Sequence, residues 1–183
     1  MPTNGPTEDR MFDHYQLLDH LSIGVFVLDE SLQIKVWNKW LMEHSLLGRD
    51  EVVGKPIIDF FPGLARKGFI KKARDVFRLG KPVFFTQQAS QFIFPFPTTR
   101  SYLTTKLSAM QQTVILSPIK DDEGETVNVL VSVFDVSDWV AHQNQLLKSK
   151  KELERLKLRP DYRPENLDFV DRAGDTGEDP AAP

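Results

Sequence analysis

The chain has 183 residues, 40% of them hydrophobic, with 13 phenylalanines and a formal charge of −3. That suffices for one globular domain with a core and carries no global nucleic-acid signature. Cysteine is absent, which excludes disulfides, thiolate metal sites and a cysteine nucleophile; with no apolar leader and no run as long as a membrane span, the expectation is a cytoplasmic protein without membrane contact.

Residues 1–7 are polar and rich in Pro and Gly, which predicts disorder. Residues 8–21 carry Met11, Tyr15, Leu18 and Leu21 at helical spacing, a flanking helix that caps its own sheet or packs in a dimer. Residues 24–28 read as a first strand, Asp29-Glu30-Ser31 as a turn, and Ile34 to Trp37 as a second strand. Asn38 is placed to cap a helix from Lys39 to Leu47, with Gly48 stopping it. Residues 64–79 read as a longer helix with Phe69, Ile70, Ala73, Val76 and Phe77 on its apolar face; its basic face is most simply its solvated side. Gly80 and Pro82 end it.

A third strand is expected over residues 82–88, a fourth over 111–120, a hairpin turn at 121–124 and a fifth strand over 126–135. Val127, Val129, Val131 and Val133 share one face of the fifth strand. Residues 89–110 are long for a hairpin connection. They read either as a lid over a pocket or as a packed insertion, and Pro95 and Pro97 confine Phe92 to Phe96 to an edge or a loop. A helix from about residue 138 to 159 places Trp139, Leu146 and Leu153 seven apart, the sketch of a coiled-coil seam. A helix folded back on the sheet is the alternative. Residues 160–183 are acidic and rich in Pro and Gly, a composition that cannot bury enough apolar surface to fold alone; Leu167, Phe169 and Val170 could serve as a short docking motif.

The order of these pieces carries a resemblance. A strand, Asp29-Glu30 leading through Leu32-Gln33-Ile34, Trp37-Asn38, a helix, Leu46-Leu47-Gly48, Glu51 to Lys55 and Phe60-Phe61-Pro62 together resemble the first half of a PAS sensor domain. Asp135-Val136-Ser137 resembles the triplet that closes many such domains and starts the output helix. The resemblance covers roughly residues 14–138. It implies an α+β fold: a five-stranded antiparallel sheet with helices on one face, a flanking N-terminal helix (8–21), the PAS domain (22–138), and a coiled-coil-like output helix (139–159). It also implies that Asp135 pairs with a basic residue and fixes the exit angle of that helix. Asp135, Val136 and Ser137 are thus the candidate transmission residues, with Ser137 as helix cap. Tyr15, Leu18, Trp139, Leu146 and Leu153 are the candidate dimer contacts.

A sheet and its helices leave a concave interior. Candidates to line it are Val27, Ile34, Val36, Phe60, Phe69, Ile70, Val76, Phe84, Ile115 and Val131. Such a pocket could take a flavin or a small apolar ligand; bulky phenylalanines could equally fill it. Haem-binding relatives take an axial histidine from the long helix, and residues 64–79 have none, which speaks against haem. The absence of cysteine excludes a cysteinyl-flavin adduct. No two of His14, His20, His44 and His142 sit at metal spacing, and no catalytic constellation is visible. The expected function is a non-enzymatic sensor or adaptor that dimerises and relays ligand, redox or binding state to a separate kinase, cyclase or transcription factor. The alternative is a small-molecule carrier without a signalling role. Direct nucleic-acid binding through residues 148–159 is a further, weaker reading, since their charge run is otherwise a wet helix face.

Overall fold

A computed structural model describes residues 15–86, 92–97 and 109–158. Expectations for residues 1–7, for most of the 89–110 connection and for the acidic tail fall outside these residues. The chain divides into two compact units, Met1–Gln145 and Leu146–Pro183.

The first unit holds the sheet. A helical stretch, residues 15–19 (α1), precedes β1 (Gly24–Leu28) and β2 (Ile34–Trp37). Three short helices follow: α2 (Lys39–Ser45), α3 (Arg49–Val52) and α4 (Ile57–Phe60), then a single 3-10 turn at Pro62–Leu64. Next come α5 (Phe69–Leu79), β3 (Val83–Phe85), β4 (Gln112–Lys120) and β5 (Thr126–Asp135). The strands form one antiparallel sheet in the order β2-β1-β5-β4-β3, so the last strand in sequence lies at the centre. The helix α6 (Ser137–Lys157) begins in this unit and crosses into the second.

Register decides which side chains meet. Phe26 pairs with Val131, Val131 with Leu116, and Phe85 with Val114. Cross-strand partners project to the same face, so Phe26, Leu28, Val129, Val131, Val133, Val114, Leu116 and Phe85 make one buried face. Phe69, Ala73 and Val76 of α5 are fully buried in the same core. Withdrawing a Phe or Val from water contributes about 1.5–3 kcal/mol, so this one stripe is enough to hold α5 in place.

Several boundaries differ from the sequence reading, each for a local reason. The helix after Asn38 ends at Leu46, whose φ of 62° is left-handed. Ser45 Oγ donates back to Leu41 O and accepts the Leu47 N–H, which closes the helix before Gly48. Gly48 instead opens α3, where the Glu51 carboxylate accepts its N–H at 2.6 Å. The expected helix over 64–79 begins only at Phe69, because Pro62 starts a 3-10 turn and Gly68 takes a φ of 73°. In the β4–β5 turn Asp121 Oδ1 accepts from Glu123 and Glu125, and Gly124 supplies a φ of 87°. Gly24 opens β1 under α2. A Cβ there would stand 2.7 Å from Leu41 and 2.8 Å from the Trp40 ring.

Candidate functional site

The interior of the sheet unit is aromatic. Residues 92–97, Phe-Ile-Phe-Pro-Phe-Pro, drop Ile93, Phe94 and Phe96 into the core. The Phe94 ring meets four others: Phe26 at 5.8 Å, Phe61 at 5.3 Å, Phe69 at 5.8 Å and Phe96 at 5.4 Å. The first three contacts are edge-to-face and the last is stacked, both favourable geometries for aromatic pairs.

Burying backbone requires partners for its polar groups, and this segment has them. Gln112, itself 2% exposed, accepts the Phe94 N–H through Oε1 at 3.0 Å and donates Nε2 to Phe94 O at 2.8 Å. The Met110 N–H donates to Phe96 O at 3.2 Å. Pro95 and Pro97 bring no N–H to satisfy. Lys67 donates to Phe92 O and to Ile93 O, and burial pushes its ammonium below the ordinary lysine range. Within this interior Trp37 Nε1 is fully buried and makes no hydrogen bond among the described residues.

Two joints connect the sheet to its flanking helices. At the entry, Asn38 is fully buried. Its Oδ1 accepts from Val25 N and Leu41 N, and its Nδ2 donates to Leu18 O and Ile23 O. Asp19 accepts the Lys39 N–H and holds Arg49 Nη2 at 2.7 Å. Arg49 also donates Nε to Trp37 O and stacks on Tyr15 at 4.3 Å. At the exit, the Val136 N–H donates to Gln111 O, and the Gln111 N–H donates to Ser137 Oγ. Ser137 is 1% exposed and Val140 4%. A cleft of about 480 Å³ lies where the two joints approach, lined by Asp19, His20, Trp40, His44, Asp135 and Asp138 among others. The His44 ring stacks on Trp40 at 3.8 Å.

The PAS fold family matches residues 18–141. This chain belongs to that family. No curated protein matches it. Solved structures that resemble it include the PAS domain of BvgS from Bordetella pertussis, at 17% identity and a TM-score of 0.52, covering 78% of this chain and 99% of that one. A phage VqmA–DPO complex matches at 10% identity and a TM-score of 0.55, covering 78% and 60%. A sensory box sensor histidine kinase from Vibrio cholerae matches at 19% identity and a TM-score of 0.48, covering 70% and 93%. At these identities the likeness is one of fold.

The PAS sheet divides the ten interior candidates. Ile34, Phe69, Val76 and Val131 are fully buried in the core, and Phe60 and Ile70 pack against it half-buried. Val27, Val36 and Ile115 lie on the opposite face and are half-buried, while Phe84 there is 56% exposed. The pairings Val27 with Val36, Val27 with Leu130, and Phe84 with Ile115 fix this. These four cannot line the same interior as Val131, because adjacent strand residues point to opposite faces.

The exit joint corrects one expectation, the capping role of Ser137. Asp135 forms no ion pair among the described residues; its carboxylate accepts the Ser137 N–H at 2.9 Å. Ser137 is the first helical residue rather than the cap, and its hydroxyl faces Gln111. The Ser137 N–H thus gives the Asp135 carboxylate a local hydrogen-bond donor two residues along. Of the dimer candidates, Tyr15 and Leu18 are half-buried, with Tyr15 donating to Lys35 O. Trp139, Leu146 and Leu153 are more than half exposed.

Gln112 and Lys67 were not read as functional from sequence, and residues 92–97 were read only as part of a connection that is a lid or a packed insertion. A signal for the packed insertion was present: three large apolar residues beside two prolines cannot pair in a ladder or remain in water, so they must enter a core. Nothing local marks Gln112 as their partner. Among the described residues no group of three His, Cys, Asp or Glu is placed to hold a metal, and no helix is long and apolar enough to cross a membrane.

Proposed function

We propose that this chain is a cytoplasmic PAS sensor or adaptor, with no catalysis of its own, that dimerises through its output helix and passes a state of its interior to a separate signalling protein. The observation that carries this reading is the exit joint. Val136 and Ser137 at the root of α6 are bonded to Gln111, the residue just before β4, so the helix is tied to the central sheet rather than hung on a loose linker. Support for dimerisation comes from Trp139, Leu146 and Leu153, exposed residues seven apart on α6, with Leu156 three further on. Packed a-type residues are what a parallel pair of helices requires. The partner receiving the state would be a kinase, cyclase or transcription factor.

A carrier role is less well supported, because Phe94 and Phe96 occupy the interior that a cargo would need. Sedimentation tests the dimer. The full chain is expected to sediment as a dimer, and Leu146→Glu with Leu153→Glu as a folded monomer. A dimer that survives both charges removes the output helix from the interface.

A further inference from the structure

We propose that the cleft between the two joints is a proton-operated clamp, in which His20 and His44 on the entry side take up protons and draw the acidic root of α6 towards them. The inference rests on the sensor reading above and adds to it an input, acidification, that is received outside the interior of the sheet.

The walls of the cleft differ in charge. On the entry wall, α1 and the turn after it contribute Asp19 and His20, and α2 contributes Lys39, Glu43 and His44. The two acids there have cations of their own: Asp19 holds Arg49 at 2.7 Å, and Glu43 lies 3.8 Å from Lys39. The exit wall carries Asp135 and Asp138, and no cation lines it among the described residues. Asp135 accepts the Ser137 N–H, a neutral donor that leaves the carboxylate its charge. Carboxylates keep that charge over the range in which histidine gains its own. Acidification through that range therefore sets imidazolium groups opposite two aspartates across an open cleft.

Local structure prepares His44 for the proton. A carbonyl can only accept, so the 2.7 Å bond between His44 Nδ1 and Trp40 O places a hydrogen on Nδ1 and leaves Nε2 to take the second proton. The ring lies 3.8 Å from the Trp40 ring and 14° from parallel. An imidazolium over an indole face is attracted to it, so the ring gains charge without leaving its stack. The helix ends act in the same sense. His44 occupies the last turn of α2, where the helix dipole favours a cation, and Asp135 and Asp138 stand at the start of α6, where it favours an anion. His142, on the next turn of α6, bonds Asp138 O through Nδ1 but is exposed and does not line the cleft. It is the natural control.

The test uses the full chain with nitroxides on Gln16→Cys in α1 and Gln143→Cys in α6, the only thiols in a chain without cysteine. Dilution with unlabelled chain restricts the measured distances to one molecule. Lowering the pH from about 8 to about 5.5, across the histidine range, is expected to shorten the interlabel distance by about 1–2 Å, the scale of a helix shift. The change should shrink in about 1 M salt, which screens the attraction, and should persist in His142→Gln. His20→Gln with His44→Gln should abolish it. Asp135→Asn with Asp138→Asn should abolish it too, while the asparagine at position 135 still offers an oxygen to the Ser137 N–H. Where a double variant does not unfold cooperatively in urea, its two single variants replace it, and each should reduce the change. A distance that is equal at both pH values in the otherwise unaltered chain overturns the clamp. A change that survives the loss of both histidines, or of both aspartates, overturns its assignment to this cleft. The labels read geometry within one chain, so a monomer in sedimentation would count against the dimer alone.

Discussion

The chain enters and leaves the sheet through unlike joints. The entry is built from side chains: the Asn38 amide spans α1, the Ile23 carbonyl, β1 and α2, and the Asp19–Arg49 pair with the Tyr15 ring reinforces it from the rim. The exit adds a backbone rung to the sheet and braces it with the Ser137 hydroxyl and the Asp135 carboxylate. Val136 bonds to Gln111 as one more rung beyond the β4–β5 ladder, which pairs Gln112 with Asp135. A joint made of side chains holds a flank in place. A joint that extends a ladder makes the helix follow the sheet. The difference suits the N-terminal side to anchoring and, on the function proposed above, the C-terminal side to transmission.

Asn38→Ala strains that comparison most. It removes four hydrogen bonds and strands buried groups, each costing about 1–3 kcal/mol when left unpaired. With partial rescue by water the expected loss is about 3 kcal/mol in urea unfolding. A loss below about 1 kcal/mol would mean that the entry is held by packing instead. Ser137→Ala should cost about 1–2 kcal/mol, because the Gln111 N–H loses its acceptor in a part-buried place. Its sharper readout is amide exchange: Val136 and the first turn of α6 should exchange faster while residues 15–19 stay unchanged. Equal acceleration at both ends would erase the distinction between the joints. Arg49→Ala should have the smallest effect, about 0.5–1 kcal/mol, since the Arg49 and Asp19 side chains are 28% and 27% exposed. Part of that loss should vanish in high salt through screening, whereas the Asn38→Ala loss should not.

The strands, the long apolar helix and the capping role of Asn38 were all legible, because periodicity and capping are local properties. Asn38 Oδ1 does accept from Leu41 as expected. Its other three bonds were invisible, because they come from residues 13 to 20 positions earlier. The interior candidates were half right for a similar reason. Apolar character marks Val27, Val36, Phe84 and Ile115 for burial, but only register tells which face receives them. Residues 92–97 are the loop and the packed insertion that Pro95 and Pro97 allowed, but the amide that holds them was invisible because it sits 18 residues away. The hydrogen bond from the Ser137 N–H to Asp135, two residues back, is local and was not read.

Gly24 carries a consequence for how this domain can change over generations. Trp40 and Leu41 lie where any side chain at position 24 would begin, and Trp40 also forms a wall of the cleft between the joints. Every coding change at that position adds a carbon where α2 now rests. Variation in the width of the cleft therefore has to arise at its other walls, such as Trp40 and His44 on the helix, while position 24 stays fixed.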